Sequence, residues 1–203
     1  MPNVKLPTGV DLYYESHGQG EPLIFVPSTA FSGEVWKPSQ MPLAESLNIV
    51  FHDPRGCGRS VAAQTVYTIE QMALDIVALM DHLQIRSAHL IGHSMGGRIA
   101  LSLAQNFPGR VKSLIMAASG SGPAARSGPD CITGLPHRLV LGLVEMGFEK
   151  YIHHEICDSD AFFTKDYRDR HPDKVMEFFK LAWATHAKLP EFIHICIARH
   201  NFE

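Results

Sequence analysis

A serine set between paired glycines is the residue pattern in this chain best suited to chemistry. The segment Gly92-His93-Ser94-Met95-Gly96-Gly97 fits G-x-S-x-G, in which the backbone turns sharply from a strand into a helix and carries the serine in a strained conformation. The positions two before and two after the serine approach each other closely, and Gly92 and Gly96 supply the small residues this needs. Such a turn lifts the hydroxyl clear of the sheet at a helix N-terminus. There the N–H of Met95 and the helix dipole face a developing oxyanion. The chemistry this suits is attack on a carbonyl followed by acyl transfer. The bare pattern arises by chance in roughly one chain in ten of this composition, so its weight rests on its neighbours.

Those neighbours are the elements the motif requires. Ala88-His89-Leu90-Ile91 reads as the preceding strand, and a helix follows from about Met95 to Asn106, stopped by Pro108. Upstream, Val10 to Glu15, Leu23 to Val26 and Asn48 to His52 read as strands, and Val111 to Met116 as a later one. Thr68 with Gln71 forms a capping box. It opens a helix whose stripe is Ile69, Met72, Ala73, Ile76, Val77, Met80 and Leu83. Alternating strands and helices predict an α/β domain with a mostly parallel central sheet flanked by helices. Ligands of such sheets sit at the C-terminal strand ends. After about Gly122 no strand pattern follows. The chain turns helical from Pro136, with a helix start at His171-Pro172-Asp173 and a stripe of Val175, Phe178, Phe179, Ala182 and Trp183. The expected organisation is a core over residues 1–122 and a helical cap or lid over 123–203.

Composition narrows the function classes. The 203 residues are 45% apolar and 19% charged, with a net charge of −3. A chain without surplus cations is poorly suited to a nucleic-acid backbone. No apolar run approaches the ~20 residues that span a bilayer, so neither nucleic acid nor membrane is an expected partner. The N-terminus has no apolar signal region. Cys57, Cys131, Cys157 and Cys196 are scattered, as suits reduced thiols in a cytoplasmic protein.

Several segments together resemble the α/β-hydrolase superfamily. Leu23-Ile24-Phe25-Val26-Pro27-Ser28-Thr29, with Trp36 downstream, is similar to its strand and oxyanion loop. His52-Asp53-Pro54-Arg55-Gly56-Cys57-Gly58-Arg59-Ser60 is similar to its D-x-R-G-x-G-x-S turn. Residues 92–97 are similar to its nucleophile elbow, and Asn106-Phe107-Pro108-Gly109-Arg110-Val111 to the approach to its sixth strand. The ordered set spans residues 10–120, and the remainder resembles the family's cap. The resemblance implies a serine hydrolase with Ser94 as nucleophile, the N–H groups of Met95 and Thr29 as oxyanion donors, no cofactor and no metal. It implies a small apolar substrate: an ester, a lactone or another carbonyl compound.

Two departures stand out. Pro27-Ser28 replaces the family's usual His-Gly. The family's catalytic acid and histidine normally follow the cap, but this chain ends at Asn201-Phe202-Glu203. The last strands, the acid and the histidine are therefore expected to be missing, and a serine without a base is a poor nucleophile. Asp130 is a candidate acid. His137, His153, His154, His171, His186, His194 and His200 all lie in the expected cap, and nothing in the sequence singles one out as base. Alternatives are a non-hydrolytic relative such as a haloperoxidase or lyase, or an inactive binding protein. Two further patterns read as plain structure. Gly120 to Ala125 mimics a dinucleotide fingerprint in the wrong place, and His153-His154 with Cys157 lacks a second ligand pair. Arg55 is expected to fix loops by hydrogen bonds.

Overall fold

The computed structural model describes residues 3–62, 67–120 and 137–200. Among the described residues seven strands run β1 (Asn3–Lys5), β2 (Val10–His17), β3 (Glu21–Val26), β4 (Leu47–His52), β5 (Val61–Ala62), β6 (Ala88–His93) and β7 (Val111–Ala117). They form one sheet in the order β1-β2-β4-β3-β6-β7, with β5 paired to β2. Strands β4, β3, β6 and β7 are mutually parallel, and β2 joins β4 antiparallel. The mostly parallel sheet expected from the strand–helix alternation is what forms. Among the described residues no strand follows β7.

The short apolar runs are strands because both of their faces are covered. Leu23, Phe25, Ile49 and Phe51 form one cluster, with Trp36, Leu43, Ala44, Leu47 and Ile91 packed against it. The alternating residues Ile24, Val26, Val50 and Leu90 are fully buried on the opposite face. Phe25 and Phe51 stack with ring centres 5.0 Å apart. Each contributes roughly 1.5–3 kcal/mol by leaving water.

Between β3 and β4 lie short helical turns at Gly33–Trp36 and Met41–Glu45, flanking α1 (Lys37–Gln40). Helix α2 (Ile69–His82) begins as its capping box predicts: the Thr68 hydroxyl accepts from the Gln71 N–H at 3.0 Å. Helix α3 (Met95–Asn106) packs against α2 and against β6 and β7. Four helices follow: α4 (His137–Met146), α5 (Phe148–His153), α6 (Lys165–Arg170) and α7 (Pro172–Ala184). The last is α8 (Leu189–His200).

The chain divides into two compact units, residues 1–125 with 185–203, and residues 126–184. The expected helical segment over 123–203 thus differs from the observed division, because residues 185–203 belong with the core. The reason lies in their contacts. The Ala187 N–H donates to Ala30 O at 3.0 Å, Thr185 Oγ1 shares a hydrogen bond with Ser32 Oγ, and Arg98 Nη1 donates to Arg199 O at 2.8 Å. Phe192, Ile195, Cys196 and Ala198 of α8 are buried. In the 126–184 unit, Tyr151, Ile152, Ile156, Val175, Phe179 and Ala182 are buried. Of the α7 stripe read from the sequence, Val175, Phe179 and Ala182 pack inward, while Phe178 and Trp183 are part-buried.

Candidate active site

Residues 92–97 form a strand–turn–helix whose tightness can be measured. Strand β6 ends at His93 and α3 begins at Met95, leaving Ser94 alone at the junction with φ 52° and ψ −115°. A non-glycine residue rarely adopts this backbone, and holding it there costs on the order of 1–3 kcal/mol. Neighbouring groups supply the restraint. The Ser94 N–H donates to Ala117 O at 2.9 Å, while Ser94 O accepts from the Gly97 N–H at 3.0 Å and from Ser119 Oγ at 2.7 Å. The glycines are required by space. A Cβ on Gly92 would lie 2.3 Å from Gly96 O, and one on Gly96 would lie 2.1 Å from Val26 O.

The Ser94 residue is part-exposed, and among the described residues no side chain hydrogen-bonds its hydroxyl. Met95 follows as the first residue of α3, so its N–H belongs to the set that a helix leaves unpaired at its start. Opposite, Val26 is in register with Gly92 in the parallel pair β3–β6. The loop that follows β3 lies against the elbow, since a Cβ on Gly96 would meet Val26 O at 2.1 Å and Pro27 O at 2.5 Å. Thr29 sits in a tight turn in which the Phe31 N–H donates to Ser28 O at 3.2 Å and Ala30 takes φ 65°. The Thr29 N–H has no hydrogen-bond partner among the described residues. The departure at Pro27-Ser28 therefore leaves a formed turn with a free amide at Thr29.

The surroundings are apolar and aromatic. Trp36 meets the His93 ring edge-on at 6.4 Å and packs against Phe25. Burial lowers the pKa of His93, which favours the neutral ring. Phe31, His186 and Phe192 form a chain of ring contacts beside the Ala30 turn. Burial also lowers the pKa of His186, whose Nδ1 lies 2.8 Å from Ala187 O.

Hydrogen bonds hold the 53–60 turn, and Arg55 fixes it as expected. The buried Asp53 carboxylate accepts from the Gly33 N–H, from the Arg59 N–H and from the Arg59 guanidinium. Gly58, at φ 54°, is needed because a Cβ there would lie 2.3 Å from Asp53 Oδ2. Arg55 fixes this turn to α2 through two 2.7 Å bonds to Asp75.

Asp130 lies outside the described residues, as does most of the 120–125 pattern. His137, His153, His154 and His171 belong to the 126–184 unit. His153 and His154 both face Asp158. His186, His194 and His200 belong to the core unit, with His194 edge-on to Tyr67. Among the described residues no group of three or more His, Cys, Asp or Glu side chains is arranged to hold a metal. Ser119, which ties down the Ser94 carbonyl, went unread in the sequence. It directly follows the left-handed Ala118 (φ 46°), and no local pattern announces it.

Comparison with other proteins supplies the family. RutD of Caulobacter sp. (strain K31), named for carbamate hydrolysis, is 35% identical over 147 residues, covering 70% of this chain and 53% of that protein. BpoC of Mycobacterium tuberculosis, named for non-heme bromoperoxidase activity, is 33% identical over 112 residues, covering 54% and 42%. The chain spans about half the length of the curated relatives it matches. Among solved structures, the enol-lactonase from Burkholderia xenovorans LB400 superposes with a TM-score of 0.81 at 24% identity, covering 99% of this chain and 74% of that one. A thermophilic esterase from Thermogutta terrifontis gives 0.79 at 22%, covering 100% and 73%. At such identities the likeness speaks for the fold alone. The family model for the alpha/beta hydrolase fold matches residues 21–174. With three-quarters of its length matched by that model and its strands in that arrangement, the chain belongs to the alpha/beta hydrolase family.

Proposed function

We propose that this chain carries the nucleophile of a hydrolase that cleaves an ester, lactone or other carbonyl compound through an acyl-enzyme on Ser94. The strained Ser94 backbone carries the proposal. Its φ 52° and ψ −115° lie outside the ordinary left-handed well, three hydrogen bonds and two glycines that admit no side chain hold it there, and strain of this kind clusters at functional sites.

In this reading Ser94 Oγ adds to the carbonyl carbon as its proton passes to a base. The N–H groups of Met95 and Thr29 hold the oxyanion at the start of α3, where the helix dipole adds to the field. The tetrahedral adduct collapses, the bond to the leaving group breaks, and that group takes the proton. Water then repeats the sequence on the acyl-enzyme and returns Ser94. The base and its acid partner are assigned to no described residue. The Phe31, His186 and Phe192 rings favour a small apolar acyl or alkyl group. The free thiols Cys57, Cys157 and Cys196 fit a cytoplasmic setting. No described helix is long and apolar enough to cross a membrane. The likeness to BpoC favours a second use of the same serine, peroxide-dependent halogenation.

The test is hydrolysis of short-chain p-nitrophenyl esters by the chain and by Ser94→Ala. Turnover that Ser94→Ala abolishes supports the reading. Turnover that survives the substitution refutes it. Peroxide-dependent bromination without ester turnover selects the second use.

A further inference from the structure

Arg98 and Arg199 are two cations side by side, and among the described residues neither pairs with a carboxylate. Arg98 lies one turn beyond Ser94 on α3, and its Nη1 donates to Arg199 O at 2.8 Å. That bond leaves its Nε and Nη2 donors unspent. Burial and the nearby Arg199 charge both lower the pKa of Arg98. Part-buried cations are normally paired, and like charges set together disfavour each other. The position of Arg98 ties this pair to the elbow. Helical side chains lean toward the helix N-terminus, here the end that carries Ser94. A Cβ on Gly120 would lie 3.7 Å from Arg98 Nη2, and the preceding residue, Ser119, donates its hydroxyl to Ser94 O at 2.7 Å. The guanidinium therefore borders the loop that flanks the nucleophile, and both arginines are part-exposed.

We propose that Arg98 and Arg199 bind the carboxylate of an anionic substrate, so that the ester or lactone attacked by Ser94 carries an acid group. The inference rests on Ser94 being the nucleophile. A guanidinium is planar and matches a carboxylate with paired N–H donors. Arg98 offers one such edge, Nε with Nη2, while Nη1 stays on Arg199 O and fixes the plane. A carboxylate here offsets the repulsion between the two arginines. Its anchorage also sets where the carbonyl falls against Ser94, which is the positioning that raises the rate of the chemical step. The substrate is then amphiphilic, with an apolar body and one anionic end.

The test is isothermal titration calorimetry of the chain with monomethyl glutarate, an ester carrying one carboxylate, and with dimethyl glutarate, its neutral counterpart. Binding needs no activated serine, so Ser94→Ala is titrated beside wild type. Both should bind the acid ester at least about tenfold tighter than the neutral one, and added salt should shrink the difference. Arg98→Met should lose most of that margin and leave the neutral ester unaffected. Should Arg98→Met melt early, Arg199→Met decides, because its backbone oxygen still holds Arg98; it should lose part of the margin at an unchanged melting temperature. The acid ester should also slow the labelling of Ser94 by a fluorophosphonate probe. Equal affinity for the two esters overturns the inference, as does a full margin kept in a folded Arg98→Met or in Arg199→Met. So does binding that leaves the labelling rate unchanged, since the anion then lies away from Ser94. Failure of the wild-type chain to label refutes the serine reading itself, while the titrations still decide whether the arginines hold an anion.

Discussion

Replacing Gly96 with alanine adds one methyl group where the sheet and the helix leave none of the space it needs. The new Cβ would lie 2.1 Å from Val26 O and 2.5 Å from Pro27 O. Ordinary contact begins near 3.4 Å, so the first overlap exceeds 1 Å. Both obstacles are backbone, and Val26 is fixed in β3 between two parallel neighbours. The loop or the helix must therefore move by about an ångström. Overpacking of this kind costs typically 1–3 kcal/mol, and the rigid obstacles put this case at about 3. For a chain of this size that lowers the melting temperature by about 6–12 °C. The displaced atoms are those that set Ser94 against Thr29, and an ångström of misplacement costs about 100-fold in rate. Gly109→Ala is the control, since a Cβ there meets nothing within 4 Å. Thermal melts followed by circular dichroism, with probe-labelling rates, decide the matter. Gly96→Ala melting and labelling like Gly109→Ala would refute the reasoning.

Three further outcomes are expected. Asp75→Ala strips Arg55 of its two-pronged partner and leaves a buried charge; urea unfolding should show a loss of about 3–5 kcal/mol, and an unchanged midpoint would contradict it. Burial lowers the pKa of His52 from 6.5 to about 4. The unfolded chain therefore takes up this proton first: the stability from neutral His52 is complete above pH 6.5, is lost as the pH falls toward 4, and totals about 3 kcal/mol. His52→Leu should flatten that part of the pH–stability curve, and an equal slope in both proteins would count against it. Among the described residues β7 pairs only with β6, and Ile115 is 54% exposed. Sedimentation should show association that rises with concentration and that Ile115→Lys suppresses; a monomer at every concentration would contradict this.

The parts legible in the sequence were those whose cause is local. The Thr68 cap is set by two side chains three residues apart, and α2 starts there. The Ser94 elbow is set by sterics within five residues, and β6 and α3 meet at it. Strand β5 has two residues and shows no periodicity, so only its pairing with β2 reveals it. The helical turns over 33–45 are broken by Pro38 and Pro42 and carry no stripe. The apolar face of α8 shows that it is covered but not by what. Its place with the core depends on Ala30, Ser32 and Arg98, more than a hundred residues away in the chain. The left-handed Ala30 and Ala118, which shape the two loops beside Ser94, are held by tertiary contacts rather than by residue type.

The central claim is that Ser94 forms the covalent intermediate. Its most direct test is to quench the chain during turnover of a slow p-nitrophenyl ester and map the mass of the acyl adduct by peptide sequencing. The account predicts a single acyl group on the peptide containing Ser94, absent from Ser94→Ala. An adduct on another residue, or turnover with no adduct at any quench time under conditions where deacylation limits the rate, would contradict it.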